Sequence, residues 1–215
     1  MAKLKIRGGK RLSGRIVVEG NKNAALPLIA ACLLTDQECV LTNVPRIRDV
    51  DVLLELLQGL GANVNGAGTS TLRVQCETLT GNRPDPVLVG KLRGSVLLLG
   101  PLLARYGSAR LAQPGGDFPT RRTIATHVQA LVELGAVQVD EPGHSLDAPN
   151  GLSGASFYLD EASVTGTETA LLAAAGAKGR TEIRHAAPLQ ASIVERPRPT
   201  AVFTSRPTTR SVRLR

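Results

Sequence analysis

Aromatic side chains are scarce in this sequence, which has no tryptophan, two tyrosines and three phenylalanines among 215 residues. A hydrophobic core must therefore come mainly from leucine, valine, isoleucine and alanine. Proteins that bind single-stranded nucleic acid stack its bases on aromatic rings, so this composition argues against such a surface. Long apolar runs are also missing, because glycine, proline or charge interrupts each one before it could span a bilayer. The basic N-terminus lacks a following apolar stretch and does not predict a secretory signal.

The three cysteines, Cys32, Cys39 and Cys76, are odd in number and do not have the spacing of metal ligands. Cys32 falls in a predicted apolar helix, which favours a buried free thiol. Free thiols are typical of a reducing compartment, so we expect a cytoplasmic protein. The sequence also shows no metal-ligand cluster, catalytic triad or phosphate-binding P-loop, so no metal site is predicted.

The net charge of +8 is concentrated near the C-terminus, where residues 188–215 have six arginines and one glutamate. That segment carries +5, which leaves only +3 for the preceding residues, so nucleic acid is not an expected partner. Its four prolines and its lack of any helical or strand period predict a disordered tail or the product of a shifted reading frame. We therefore expect residues 1–187 to form the folded part and residues 188–215 a separate tail.

Periodicity predicts an α/β chain of repeated units, because alternating apolar residues indicate strands and apolar residues three or four apart indicate helices. The stretch LVELGAVQV, which begins at Leu131, echoes LLQGLGANV, which begins at Leu56. A third unit begins at Ser156 but lacks its second helix. The predicted strands are Leu4–Arg7, Arg15–Glu19, Cys39–Thr42, Ala62–Val64, Thr71–Gln75, Ser108–Ala112, Ser156–Leu159 and Thr181–His185, and the predicted helices are Ala24–Leu34, Val50–Leu60, Val87–Tyr106 (bent or interrupted near Gly100 and Pro101), Thr123–Leu134 and Thr169–Ala177.

A glycine-rich turn near the middle of the chain is the strongest candidate for a functional site. Two glycines precede Asp117, and a pair of arginines, Arg121 and Arg122, follows it. Thr123 then has the position of an N-cap for an amphipathic helix. A carboxylic acid and two guanidiniums beside a helix N-terminus suit a phosphorylated ligand, although a surface turn before a capped helix would show the same residues.

Five ordered stretches carry a family pattern: GNKNAALPLIAACLL (Gly20–Leu34), NVPRIRDVDVLLELLQGLGA (Asn43–Ala62), KLRGSVLLLGPLLARYG (Lys91–Gly107), QPGGDFPTRRTIATHVQALVELGAV (Gln113–Val137) and, less closely, DEASVTGTETALLAA (Asp160–Ala174). Together they resemble the UDP-N-acetylglucosamine 1-carboxyvinyltransferase family of enolpyruvyl transferases. The resemblance implies an α/β (α+β) fold of repeated βαβαββ units, an inside-out barrel, truncated here within the third unit.

The resemblance also implies a reaction, the transfer of enolpyruvate from phosphoenolpyruvate to the 3′-hydroxyl of UDP-N-acetylglucosamine in peptidoglycan synthesis, with no organic cofactor. In the family the general base and further arginines lie in a second domain that has no counterpart here. We therefore expect the missing C-terminal domain to be required for activity. The competing interpretations are a 3-phosphoshikimate 1-carboxyvinyltransferase-like enzyme, a non-catalytic UDP-sugar-binding module, and a nucleic-acid binder that uses the basic tail.

The resemblance assigns the binding of phosphoenolpyruvate to Lys22 and Asn23, and proton donation to Asp117, where well-known members carry cysteine. An ammonium and an amide at a strand-to-helix turn suit an anion, although a solvated lysine beside an asparagine cap is the plainer alternative. A free aspartic acid has a pKa of about 3.9, so it can act as the acid only if its surroundings and the substrate raise that pKa.

The remaining assignments concern UDP-N-acetylglucosamine, and each set follows the family motif. Glu161 stands where better-known members carry a basic residue, which weakens the match of that loop to a diphosphate. His127 is either a buried histidine or a ligand contact, and Arg48 and Asp49 resemble a family pair that is structural or forms an ion pair near the substrate. The residues assigned to UDP-N-acetylglucosamine are Arg93, Arg122, Thr123, Ile124, Ala125, Thr126, Ser163, Val164 and Thr165.

Overall fold

The fold is seen in a computed structural model that describes residues 4–5, 7–9, 13–15, 20–115, 123–140, 144–189 and 202–203. Helices and short strands alternate along it, which agrees with the predicted mixed class. The helices are α1 (Lys22–Ala31), α2 (Arg48–Gly59), α3 (Pro86–Val89), α4 (Leu99–Tyr106), α5 (Ala125–Glu133) and α6 (Val164–Gly176), with 3-10 segments at Cys32–Leu34 and Arg93–Leu98. The strands are β1 (Cys39–Thr42), β2 (Asn63–Asn65), β3 (Thr71–Gln75), β4 (Ser108–Leu111), β5 (Val137–Gln138), β6 (His144–Asp147), β7 (Ser156–Tyr158), β8 (Glu182–Arg184) and β9 (Val202–Phe203).

The chain forms three successive units, and the first two share one plan of strand pairing. In the first unit, β1 and β3 pair antiparallel, β2 pairs antiparallel with β3, and the sheet order is β2–β3–β1–β9. In the second unit, β6 lies between β4 and β5 and is antiparallel to both. The third unit has, in the described residues, two parallel strands, β7 and β8, joined by α6. The third unit is therefore incomplete within the described part of the chain.

Helix α6 lies at the centre of the helical layer, where it packs against α4 and α5. Gly100 of α4 allows the close approach, because a Cβ there would lie 2.9 Å from the carbonyl oxygen of Thr169 and 3.0 Å from the backbone nitrogen of Ala173. In the described part of the chain the buried hydrophobic core is aliphatic apart from Phe157 and the three cysteines, as the scarcity of aromatics predicted. The core therefore depends on close contact between small residues and backbone.

The long predicted helix Val87–Tyr106 is wrong, because the structure divides it into α3, the 3-10 segment and α4. The first break falls at Gly90, where the chain makes close contact with Gly115, and the 3-10 segment then changes to α4 at Leu99, beside the predicted bend or interruption at Gly100. A Cβ on Gly115 would lie only 1.6 Å from the carbonyl oxygen of Gly90, so the two backbones touch. Pro101 falls in the first turn of α4, where its missing N–H leaves no helical bond unmade.

Other element boundaries also differ from prediction. Leu4, Lys5 and Arg7 are outside any strand, because no described strand pairs with them; of the predicted strand Arg15–Glu19, only Arg15 is described. Helix α6 begins five residues before the predicted helix, at Val164. Strands β5, β6 and β9 were not predicted, because β5 and β9 have only two residues and the four residues of β6 do not alternate in burial. β9 lies in the C-terminal segment, which was expected to have no strands, and it pairs in parallel with β1.

Arg105 connects the second unit to the first. Its guanidinium donates hydrogen bonds to four carbonyl oxygens, those of Leu33, Thr35, Cys76 and Glu77, at 2.6–3.4 Å. These carbonyls lie at the end of the first 3-10 segment and just after β3, where the chain leaves regular structure. One side chain on α4 thus satisfies backbone acceptors from two separate segments.

The three cysteines are free and buried, which confirms the prediction for Cys32. Burial raises the pKa of Cys76 to about 12, and a hydrogen bond with Cys39 raises the pKa of Cys32. Both are therefore neutral thiols at pH 7 and serve as small apolar side chains in the core.

Candidate active site

The N-terminus of α1 carries the first pair of candidate residues. The side-chain oxygen of Asn21 caps the helix by accepting the N–H groups of Asn23, at 2.7 Å, and Ala24, at 3.3 Å. The Lys22 ammonium forms an ion pair with Asp49 in the first turn of α2, and the two side chains are 49% and 34% exposed. Lys22 is therefore not simply solvated, and an incoming anion would compete with Asp49 for its charge.

Arg93 links two of the segments assigned to the nucleotide. Its Nη2 donates a hydrogen bond to the carbonyl oxygen of Thr123 at 2.9 Å, across thirty residues of sequence. Its position at the start of the second 3-10 segment places the guanidinium beside the residues that precede α5. The prediction did not include this contact, which makes Arg93 a support for the end of the glycine-rich turn as well as a candidate ligand residue.

The segment before α5 is only partly accessible. Ile124 is 5% exposed and Thr126 is 8% exposed, whereas Thr123 and Ala125 lie at the surface. The Thr123 hydroxyl accepts the N–H of Ala125 at 3.3 Å, but Ile124, not Thr123, takes the N-cap position. The predicted cap is therefore displaced by one residue. Ile124 and Thr126 therefore present little surface to a ligand.

The start of α6 lies against the start of α5. The Ser163 hydroxyl caps α6 by accepting the N–H of Gly166 at 3.2 Å. A Cβ on Gly166 would lie 3.0 Å from the Thr126 methyl group and 3.1 Å from the Ser163 Cβ, so only glycine fits between them without a shift. The structure thus brings together two of the segments that the sequence assigned to one ligand, and Val164 and Thr165 stand at that junction in the first turn of α6.

His127 is buried between these helices, 3% exposed. Its Nδ1 lies 2.9 Å from the Thr169 hydroxyl, and its Nε2 lies 3.2 Å from the Thr165 hydroxyl. Burial, followed by the positive charge of Arg93 and of His144, lowers the pKa of His127 to about 4. The alternative of a buried histidine is therefore the one observed.

Two further titratable residues near this junction were missed in the sequence. Glu168 of α6 is 3% exposed, and burial raises its pKa to about 7. His144 of β6 lies with its Nε2 3.1 Å from the Gln113 side-chain oxygen, and burial followed by the charge of Arg93 lowers its pKa. For Glu168 the sequence signal was a single acidic residue within an apolar helical stretch. For His144 the sequence contained no such signal.

The structure groups some of the predicted residues and leaves others outside its description. Arg93, the segment Thr123–Thr126 and the segment Ser163–Thr165 meet at one junction. Helix α1 reaches the same region, because its Leu26 Cδ1 would lie 3.0 Å from a Cβ on Gly94, next to Arg93. Asp117, Arg121 and Arg122 lie outside the described residues, so their roles stay predictions.

The described ranges contain neither a metal-ligand cluster nor a membrane-spanning helix. Within them, no group of three His, Cys, Asp or Glu side chains has the arrangement of a metal site. No helix in the described part of the chain has the length and hydrophobicity needed to cross a membrane.

Comparison with solved structures defines the class of fold. The chain matches the crystal structure of the enolpyruvyl transferase NikO from Streptomyces tendae with a TM-score of 0.71 and 24% identity, over 83% of this chain and 42% of that one. It matches the EPSP synthase from Acinetobacter baumannii with a TM-score of 0.64 and 19% identity, over 81% and 41% of the two chains. At such identities the match concerns the fold alone, which is that of the enolpyruvyl transferases.

The family follows from the sequence. The pattern of the family described as EPSP synthase (3-phosphoshikimate 1-carboxyvinyltransferase) matches residues 6–196, so the chain belongs to that family. A curated relative from Bradyrhizobium diazoefficiens is 48% identical over 182 residues, and one from Borreliella burgdorferi is 42% identical over 182 residues. Both relatives are named UDP-N-acetylglucosamine 1-carboxyvinyltransferase. The aligned part is 85% of this chain but 42% of each relative, so the chain spans less than half of their length.

Proposed function

We propose that this chain supplies part of an enzyme that transfers enolpyruvate from phosphoenolpyruvate to the 3′-hydroxyl of UDP-N-acetylglucosamine. The observation that carries the proposal is the junction of Arg93, the segment before α5 and the capped start of α6. Two helix N-termini and a guanidinium near one another favour a ligand with two phosphates. The names of the relatives at 42–48% identity support the same substrate.

The acceptor substrate is the point on which the alternatives divide. The family is described by 3-phosphoshikimate transfer, but the matching EPSP synthase structure is only 19% identical. The relatives named for UDP-N-acetylglucosamine are more than twice as similar. We therefore favour the UDP-sugar and keep 3-phosphoshikimate as the alternative. A non-catalytic UDP-sugar-binding chain would use the same junction without turnover.

On the donor side, Lys22 and Asn23 are proposed to bind phosphoenolpyruvate. The ammonium stands at the positive end of the α1 dipole, where an anion is favoured. Lys22 would exchange its exposed partner Asp49 for the substrate phosphate or carboxylate. An exposed ion pair contributes little to stability, and the contact with the substrate would replace it. Asp117 is proposed to donate the proton to the methylene carbon of phosphoenolpyruvate.

The nucleotide would be held by the other set, with Arg93 and Arg122 facing its phosphates. Thr123, Ile124, Ala125 and Thr126 would contribute backbone groups, as would Ser163, Val164 and Thr165. The N–H groups of Val164 and Thr165 suit this role, because the first turn of a helix has no internal acceptors for them.

Catalysis is proposed to require the part of the family fold that this chain does not span, since the relatives are more than twice as long as the aligned region. The general base for the sugar hydroxyl would come from there. The reaction would belong to peptidoglycan synthesis, and through it to cell shape and division. Three free thiols support a cytoplasmic location for it.

Calorimetric titration of the purified chain tests the substrate assignment. UDP-N-acetylglucosamine is expected to bind, and shikimate 3-phosphate is not expected to displace it. Arg93→Ala should weaken binding about tenfold or more, since a charge-assisted hydrogen bond to phosphate is lost. Arg73→Ala is the control, because Arg73 also makes a short contact, 2.8 Å to Glu38, but lies on β3.

Each result decides between the alternatives. Displacement by shikimate 3-phosphate would select the 3-phosphoshikimate reaction. Equal loss in Arg93→Ala and Arg73→Ala would mean that the chain binds through general charge. Release of inorganic phosphate from phosphoenolpyruvate by this chain alone would contradict the proposed need for a second domain.

A further inference from the structure

The junction of α5 and α6 contains a polar connection that the proposed substrate contacts do not use. His127 lies in the first turn of α5, and its two hydroxyl partners, Thr165 and Thr169, lie four residues apart on α6. Residues four apart lie on one face of a helix, so the imidazole spans a full turn of α6. The ring therefore joins the start of one helix to the first two turns of the other.

The two threonine partners of His127 differ in burial. Thr169 is fully buried, and His127 is 3% exposed, so both lie within the core beneath the junction. Thr165 is only partly buried and belongs to the first turn of α6. A connection thus runs from the core, through the imidazole, to a residue at the site itself.

The charge state of the ring fits a fixed connection. A neutral imidazole donates from one nitrogen and accepts at the other, and each threonine hydroxyl can donate or accept, so both contacts can be hydrogen bonds in either tautomer. Burial and the positive charges of Arg93 and His144 keep the pKa of the ring low enough that it is neutral at pH 7. Glu168 is the titratable group on the facing helix α6, next to Thr169 in sequence.

We propose that His127 is a positioning residue, which acts through Thr165 and Thr169 to hold the starts of α5 and α6 in the spacing that binds a nucleoside diphosphate. This inference rests on the proposed function, since the nucleotide gives the spacing its purpose. His127 itself does not touch the ligand. Its effect reaches the ligand through the backbone of the first turn of α6.

Substitution of Thr169 gives the sharpest test, because Thr169 is buried one turn below the site. Thr169→Val keeps the shape and removes the hydroxyl, and it should weaken UDP-N-acetylglucosamine binding to the full chain about tenfold. Thr169→Ser restores the hydroxyl and should restore most of the affinity. His127→Gln serves as a second variant if Thr169→Val does not fold, and it should weaken binding in the same direction.

A spectroscopic measurement accompanies the titration. In the ¹⁵N-labelled wild type, the His127 ring should stay neutral as the pH falls until it approaches the pKa of about 4. Thr169→Val should change the tautomer balance, because one nitrogen loses its partner. Ser108→Ala is the stability control: it removes the 2.6 Å hydrogen bond between Asn82 and Ser108, outside the junction, and should leave both binding and the His127 spectrum unchanged.

The outcomes distinguish a failure of the positioning role from a failure of the proposed function. If the wild type binds UDP-N-acetylglucosamine and Thr169→Val binds within twofold of it, the positioning role is overturned while the proposed function stands. If Ser108→Ala weakens binding as much as Thr169→Val, the loss is one of general stability and the positioning role is again overturned. If the wild type does not bind the nucleotide sugar at all, the proposed function fails, and the nucleotide role of His127 fails with it.

Discussion

The two helix starts that carry the candidate residues are held in opposite ways. The start of α1 is joined to α2 by an ion pair whose two side chains are 49% and 34% exposed. The start of α6 is joined to α5 by hydrogen bonds to a histidine that is 3% exposed. Exposed ion pairs contribute about 0–1 kcal/mol, whereas leaving a buried polar group unpaired costs about 1–3 kcal/mol. The first connection can exchange partners with a ligand, and the second is suited to keep its geometry.

The largest change in stability is expected from a substitution in the buried contact between α4 and α6. Gly100→Val should lower the free energy of unfolding by about 3 kcal/mol, because an overfilled core must shift its backbone. A Cβ at this position would meet the Thr169 carbonyl oxygen at 2.9 Å. Urea denaturation measures the loss. Gly59→Ala is the control, since nothing lies within 4 Å of its Cβ position and alanine favours the helix. Equal destabilisation by both variants would contradict close packing at Gly100.

A smaller effect should come from Glu168 and should depend on pH. Burial raises its pKa from 4.5 to about 7, so between these values the folded chain binds the extra proton. Stability contributed by this group is therefore present at low pH and lost as the pH rises towards 7. Relative to the wild type, Glu168→Gln should gain at most about 3 kcal/mol of unfolding free energy between pH 4.5 and pH 8, because glutamine never ionises. A difference that stays constant with pH would show that Glu168 is not buried as described.

His127 should show the opposite dependence. Its pKa falls from 6.5 to about 4 in the folded chain, so in this range the unfolded chain binds the extra proton. Its contribution is complete above pH 6.5 and is lost as the pH falls towards 4. The Glu168→Gln variant lacks the group with the opposite pH dependence. In this variant the denaturation midpoint should decline steadily as the pH falls from 6.5 to about 4. A flat profile in that variant would contradict a buried neutral imidazole.

The smallest effect belongs to the exposed side. A double-mutant cycle with Lys22→Ala and Asp49→Ala should give a coupling energy below about 1 kcal/mol, as is usual for exposed pairs. Phosphoenolpyruvate titrations of the same variants ask whether the partners can be exchanged. Asp49→Ala should bind this ligand no more weakly than the wild type, and Lys22→Ala should bind it more weakly. A coupling energy of several kcal/mol would remove the contrast between the two helix starts.

The alternation of apolar and polar residues was enough to predict two of the strands. The strands Cys39–Thr42 and Thr71–Gln75 were predicted with their observed bounds, because their alternation is set by one buried face. The break at Gly90 was not predictable in this way, since the backbone contact found there is with Gly115, far along the chain. The start of α6 has a readable signal in Ser163, a favoured N-cap residue, whereas the apolar residues predict a start only at Thr169.

In the candidate site, too, the sequence indicated the segments but not the contacts between them. Residue types and motif order indicated which segments matter, and the structure brings three of these together around Arg93 and α6. The partners within the site were beyond the sequence, because Lys22 pairs with Asp49 and His127 with Thr169 only through tertiary packing. The resemblance left Asp49 as one of a pair with Arg48, whereas the observed ion pair is with Lys22.

Repeated units need not melt together, since in many repeat proteins each unit unfolds with its own stability. Here Arg105 belongs to the second unit, and all four of its carbonyl partners belong to the first. Unfolding either unit alone would strand a guanidinium or several acceptors in a partly dry environment. The two units are therefore expected to lose structure in a single cooperative transition, so that a mutation in one is felt as a change in the melting of both.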